Sequence, residues 1–247
     1  MSTPTTTTRI SAAAVQHALD ALKTYTAGSA RGTLAPLDDA VAAATGDPAA
    51  ARELERRLLD LLDGPVPVEA KEYVCRKLIL IGSPASVPKL TALLKQEATT
   101  SAAREVLQLL PCPEAGDALR NALPSLVRSA RVGAIISLGL RREPASVACL
   151  RPLLGDADVE AVRAAAGALG EIGTPLAAEA LRGFLPNAPV AVRPAVADAC
   201  LACAERLRSA GQAALAAELY RLLAAPGQAP HIRNAAALGQ TRLSTGA

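Results

Sequence analysis

Four prolines set a register that few folds can satisfy. Pro84, Pro113, Pro144 and Pro175 follow one another at intervals of 29, 31 and 31 residues, and six residues after each comes a leucine: Leu90, Leu119, Leu150 and Leu181. The segments read PASVPKLTALL, PEAGDALRNAL, PASVACLRPLL and PLAAEALRGFL, with apolar or small residues at offsets 3, 6, 9 and 10 from the proline. That is the spacing of one helical face. A proline at the first helical position costs nothing, because the N–H it lacks has no partner there. Each proline is therefore expected to open the second helix of a repeated unit. The first helix precedes it, over residues 68–81, 100–110, 126–140 and 159–172, with 3–4 spacings such as Val74/Leu78/Ile81 and Val162/Ala166/Leu169. Gly82, Gly139, Gly170 and Gly173 lie near the helix ends and are expected to act as left-handed caps.

A hairpin of about 30 residues cannot bury its own apolar face and must stack on its neighbours. Stacking also resolves a size problem, since 247 residues is near the limit of a single globular core. Composition agrees: 51% of residues are hydrophobic, yet only 2% are aromatic and none is Trp, so the apolar content is mostly Ala and Leu. These are strong helix formers, and the expected class is all-α.

The ends depart from the register, as capping units should. Residues 11–25, 34–44 and 48–62 read as three helices, with Ser11 as an N-cap and Gly46-Asp47-Pro48 as a break. Residues 190–208, 211–223 and 229–243 read as longer helices before an STGA tail, and the Thr-rich residues 1–9 read as a disordered tail. The expected organisation is one α-solenoid over 10–247, with capping helices at 10–65, repeats at 66–186 and longer hairpins at 187–243.

The segments DADVEAVRAAAGALGEIGTPLAAEALRGFL (156–185) and VEAKEYVCRKLILIGSPASVPKLTALL (68–94) resemble HEAT repeats of the short bacterial type, relatives of the armadillo-type solenoids. Asp158, Val162 and Arg163 match the start of that pattern. Leu169, Gly170, Ile172 and Gly173 match its turn, and Val87, Pro88 and Leu90 its second helix. LLPCPEAG (109–116) departs from the glycine turn. Gly211, Ala216 and Tyr220 are similar in spacing to a TPR hairpin. The resemblance implies a right-handed α-α superhelix, a HEAT-like solenoid of helical hairpins whose concave face binds a protein or peptide. It implies no reaction.

The residues point the same way. Cys200-x-x-Cys203 lacks a second ligand pair and lies mid-helix, where cysteine serves as a small hydrophobe. Five cysteines over this length do not form a disulfide framework. His17 and His231 stand at opposite ends of the chain, so no His-based triad is expected. Asp38/Asp39 and Asp156/Asp158 fall at helix starts, where carboxylates cap N–H groups. No cofactor, metal or catalytic residue is expected. No apolar run approaches the length of about 18 residues that a membrane span needs, and no export signal is recognisable, so the expected location is the cytoplasm and the expected state a monomer or weak oligomer.

One polar feature stands out. Arg120, Arg151 and Arg182 each follow a register leucine, Lys89 lies near the equivalent place one unit earlier, and Arg221 extends the series. At about 100° per residue this position flanks the core face. The series is either a set of solvated arginines whose methylenes cover neighbouring leucines, or a contact track for an acidic protein or peptide. The second reading makes Lys89, Arg120, Arg151, Arg182 and Arg221 the partner-binding residues. A nucleic-acid or other anionic ligand on this stripe is the alternative. It is disfavoured by the near absence of aromatic stacking platforms and by a formal charge of only +3.

Overall fold

Alanine and leucine run into helix wherever proline and glycine allow it. The computed structural model describes residues 11–245, and among these it is all-α, with no strand. The tail at 1–9 lies outside the described residues. The chain packs as two compact units, Met1–Ala115 and Gly116–Ala247.

The first unit contains α1 (Ala12–Leu22), α2 (Ala35–Ala44), α3 (Pro48–Leu61), α4 (Val68–Ile81), α5 (Val87–Leu94) and α6 (Thr100–Leu109). Its core is a leucine stack that includes Leu22, Leu37, Leu58, Leu78, Leu90 and Leu107, all without solvent exposure. Ser11 precedes α1 as its N-cap residue, but its hydroxyl makes no capping bond. Asp47 does cap: its carboxylate accepts the N–H groups of Ala49 and Ala50 at 2.9 and 3.2 Å, while Pro48 takes the first helical position. Asp38 behaves differently from a cap. It accepts from the Tyr73 hydroxyl at 2.5 Å and from Lys77 at 2.6 Å, so α2 is tied to α4.

Pro84 and Pro144 do not open α-helices directly. Each starts a three-residue 3-10 turn, Pro84–Ser86 and Pro144–Ser146, and the α-helix begins at the following valine. The cause is tertiary, because both serines are fully buried and bonded to another element. Ser86 Oγ donates to Glu55 Oε1 at 2.6 Å, which also accepts from the Ser83 N–H and hydroxyl. Ser146 Oγ accepts from Arg120 at 3.1 Å. Pro113 and Pro175 open their helices as expected.

Helix α7 (Pro113–Ala122) begins at the end of the first unit and finishes in the second. The second unit continues with α8 (Arg128–Arg141), α9 (Val147–Leu150), α10 (Val159–Ile172), α11 (Pro175–Phe184), α12 (Arg193–Ser209), α13 (Ala213–Leu223) and α14 (Pro230–Thr245). Helix α9 is a single turn that passes into a 3-10 segment, Arg151–Gly155, because Pro152 has no N–H to continue the α ladder. Helix α14 runs two residues past the expected end at 243.

Helices α8, α10 and α12 lie side by side, and two glycines set their separation. A Cβ on Gly139 would stand 2.6 Å from Ala168 Cα, and one on Gly170 2.7 Å from the Ala199 carbonyl oxygen. These glycines are therefore not caps: both lie inside helices, where a missing side chain lets two backbones approach. The left-handed cap of α10 is Gly173, with φ +61, while Arg142 fills that role for α8 with φ +55. Gly82 ends α4 in an extended conformation instead.

The loop into α10 carries a pH-dependent contact. Asp156 accepts the Asp158 N–H at 2.9 Å and Arg131 at 2.6 Å, and these two bonds, the N–H first, hold its carboxyl below its ordinary value of 3.8. A carboxyl lowered on folding contributes stability above its unfolded pKa and loses that contribution as pH falls through the folded one. Asp156→Asn is expected to cost up to about 1 kcal/mol at pH 7, the size of a lost helix-entry bond. The gap to wild type should begin to narrow below about pH 4 and shrink further as pH falls through the lowered folded value; urea titrations at pH 7 and pH 3 compare the two regimes.

Candidate functional site

The second helices place the predicted cations on one kind of surface, and each but the last meets a carboxylate. In the first unit Lys89, on α5, is ion-paired with Asp63. In the second unit Arg120, on α7, reaches Asp117 at 2.7 Å and Glu143 at 2.5 Å. Arg151 lies 3.6 Å from Glu179 of α11, and Arg182 pairs with Glu218 of α13. Arg221 is exposed on α13 and has no ion pair among the described residues. The series is thus largely a set of ties from one hairpin to the next, and most of its positive charge is balanced on the spot. Exposed pairs of this type contribute only about 0–1 kcal/mol each, so they align hairpins more than they hold them.

Arg120 stands apart from the others. Its side chain is only 15% exposed, and burial works against its charge, but bonds to Glu143 and Asp117 outweigh that and keep the guanidinium protonated. Glu143 also accepts from Arg141 Nε at 2.8 Å and Nη2 at 2.5 Å, and the Arg141 side chain is 7% exposed. The carboxylate rests on Gly116, where a Cβ would overlap Glu143 Oε2. This is a closed ion cluster with its acceptors filled, built to join α7 to the turn before α9.

Between α11 and α13 the surface opens into a cleft of about 200 Å³. Leu176, Leu215 and Leu219 form its apolar wall, and Glu179, Arg182 and Glu218 its polar rim. Leu176 is 60% exposed despite standing at the second position of a helix whose other face is core. The volume is below the 300–1,000 Å³ typical of small-molecule sites and suits a single inserted side chain. Sequence reasoning missed this cleft. A signal existed: the residue after the register proline is Ala85, Glu114 and Ala145 in three units but Leu176 in the fourth.

At the hairpin-turn edge Glu171 accepts from both Arg142, at 3.0 Å, and Arg206, so α8, α10 and α12 share one carboxylate. Cys200 and Cys203 are buried, and burial pushes both thiols up to about 12, which leaves little thiolate at neutral pH. His17 lies on α1 and His231 on α14, in different units. Among the described residues no group of three or more His, Cys, Asp or Glu is arranged to hold a metal ion. None of the described helices is long and apolar enough to cross a membrane.

Residues 116–202 match the family model for HEAT repeats. The match runs from α7 into α12, the stretch where the Gly139 and Gly170 contacts and the paired arginines recur. No curated protein matches the chain.

Proposed function

We propose that this chain is a non-catalytic scaffold that holds a protein or peptide on the second helices of its second unit, with the α11/α13 cleft as the anchor point. HEAT repeats are commonly protein-interaction modules, and the observation that carries the reading here is the exposed Leu176 beside an open apolar cleft with a charged rim. Large exposed apolar groups next to a pocket of side-chain size are what interface anchors fill. Among the predicted cations Arg221, exposed and without an ion pair among the described residues, is the one open to a partner's carboxylate, whereas Lys89, Arg151 and Arg182 already hold Asp63, Glu179 and Glu218. Arg120, tied into the Glu143 cluster, offers the least. A nucleic-acid ligand is not favoured, because the stripe it needs is already neutralised by Asp63, Glu143, Glu179 and Glu218. We read α12 and α13 as a TPR-like hairpin on the spacing of Gly211, Ala216 and Tyr220.

The test is capture by the full chain, followed by comparison of two variants. Leu176→Arg fills the cleft mouth with a charge and is expected to lower the captured amount about tenfold or more, the loss of one interface anchor. Leu238→Arg, at an equally exposed leucine on α14, is expected to leave it unchanged. Equal capture by both variants removes the cleft from the proposal.

A further inference from the structure

Helices α4 and α6 of the first unit pack side by side and run in the same direction, since Gly82 at the end of α4 stands against Leu110 at the end of α6. An offset of 29 residues relates them: Leu78 and Leu107 are the buried equivalents. The same offset matches exposed residues. Leu80 corresponds to Leu109, at 57% and 50% exposure, and one turn earlier Arg76 corresponds to Glu105. Arg76 and Glu105 are both exposed, and no ion pair reaches either among the described residues. Arg76 lies over the Tyr73 ring, 5.9 Å from its centroid, but has no ion pair among the described residues, whereas Lys77 beside it is paired with Asp38.

Two adjacent, parallel helices therefore present a cation and an anion at one level and two leucines at the next. We propose that this face pairs with the same face of a second copy of the chain, about a two-fold axis parallel to the helices. Such a rotation lays α4 of one copy over α6 of the other without reversing their direction. Arg76 then faces the second copy's Glu105 and Glu105 its Arg76, while each Leu80 meets the other copy's Leu109. Every contact is made twice, as an isologous interface requires. A heterologous partner would need the mirrored arrangement of opposite charges and leucines on its own surface, whereas a second copy supplies it by symmetry. The corresponding positions on α8, Ile136 and Leu140, are also exposed but carry no such charge pair, so they lack the feature that selects a copy of the same chain. With two ion pairs and four leucines the dimer is a weak one, below the size of a standard stable interface.

Sedimentation velocity of the full chain over a concentration series tests this. The wild type is expected to show a reversible monomer–dimer equilibrium. Arg76→Glu and Glu105→Arg each place like charges face to face and are expected to raise the dimer dissociation constant about tenfold. Combining both reversals restores opposite charges across the axis and should return the constant to near wild type. Leu80→Lys with Leu109→Lys should leave only monomer, while Leu140→Lys should change nothing. A wild type that stays monomeric, association indifferent to the single reversals, or a double reversal that remains weakened each overturns the proposal.

Discussion

Gly139→Val is expected to destabilise the second unit by about 3 kcal/mol, at the upper end of what overpacking a close contact costs. The new side chain would start 2.6 Å from Ala168 Cα and 2.8 Å from its Cβ, and neither belongs to a flexible group that can swing aside. Relief requires α8 and α10 to separate, which loosens the leucines they share, Leu138 and Leu169 among them. Gly170→Val should behave alike through the Ala199 backbone. The contrast is Gly167→Ala, on α10 but facing open space, where nothing lies within 4 Å of the added carbon. There the change removes only the entropic penalty of glycine in a helix and should stabilise by about 1 kcal/mol. Urea unfolding followed by circular dichroism separates the two signs, and equal effects at 139 and 167 would remove the close-approach argument.

Glu143→Ala is expected to cost about 2 kcal/mol, because it takes a shared carboxylate from two guanidinium groups that are largely withdrawn from water. The full penalty of breaking a buried pair, about 3–5 kcal/mol, is discounted because Glu143 itself is about a quarter exposed. A double-mutant cycle with Arg120→Ala isolates the contact: a coupling of about 1 kcal/mol or more is expected. Additive effects would mean that Arg120 and Glu143 are mere neighbours. The same pair of unfolding curves in high salt should show little screening, unlike the exposed Arg182–Glu218 pair.

How far the sequence could be read depended on whether local signals or tertiary partners decided an element. Helices α4 and α10 begin and end at the expected residues, since each is bounded by local signals: Pro67 and Gly82 for the first, Asp158 and Gly173 for the second. The 3-10 turns at Pro84 and Pro144 were not legible, because they answer to Glu55 and Arg120, whose positions only the folded chain reveals. The arginine series was visible as a pattern, but its carboxylates were not. Glu143, Glu179 and Glu218 lie 23, 28 and 36 residues beyond their arginines, with no common spacing to notice. The roles of Gly139 and Gly170 were misassigned for a similar reason. Glycine near a helix end reads as a cap from sequence, and only a neighbouring backbone turns it into a contact point.

The contacts at Gly139 and Gly170 also quantise length. From Gly139 to Gly170, and from Ala168 to Ala199, the chain advances by the same 31 residues. A chain lengthened by one whole period between Gly139 and Ala168 could present a fresh glycine to a fresh alanine and keep every seam closed. A few residues inserted into α10 itself would instead bring a leucine or charged side chain to the place where two backbones touch. Growth and shrinkage of this stack are therefore confined to whole hairpins, and smaller changes are confined to its connecting loops.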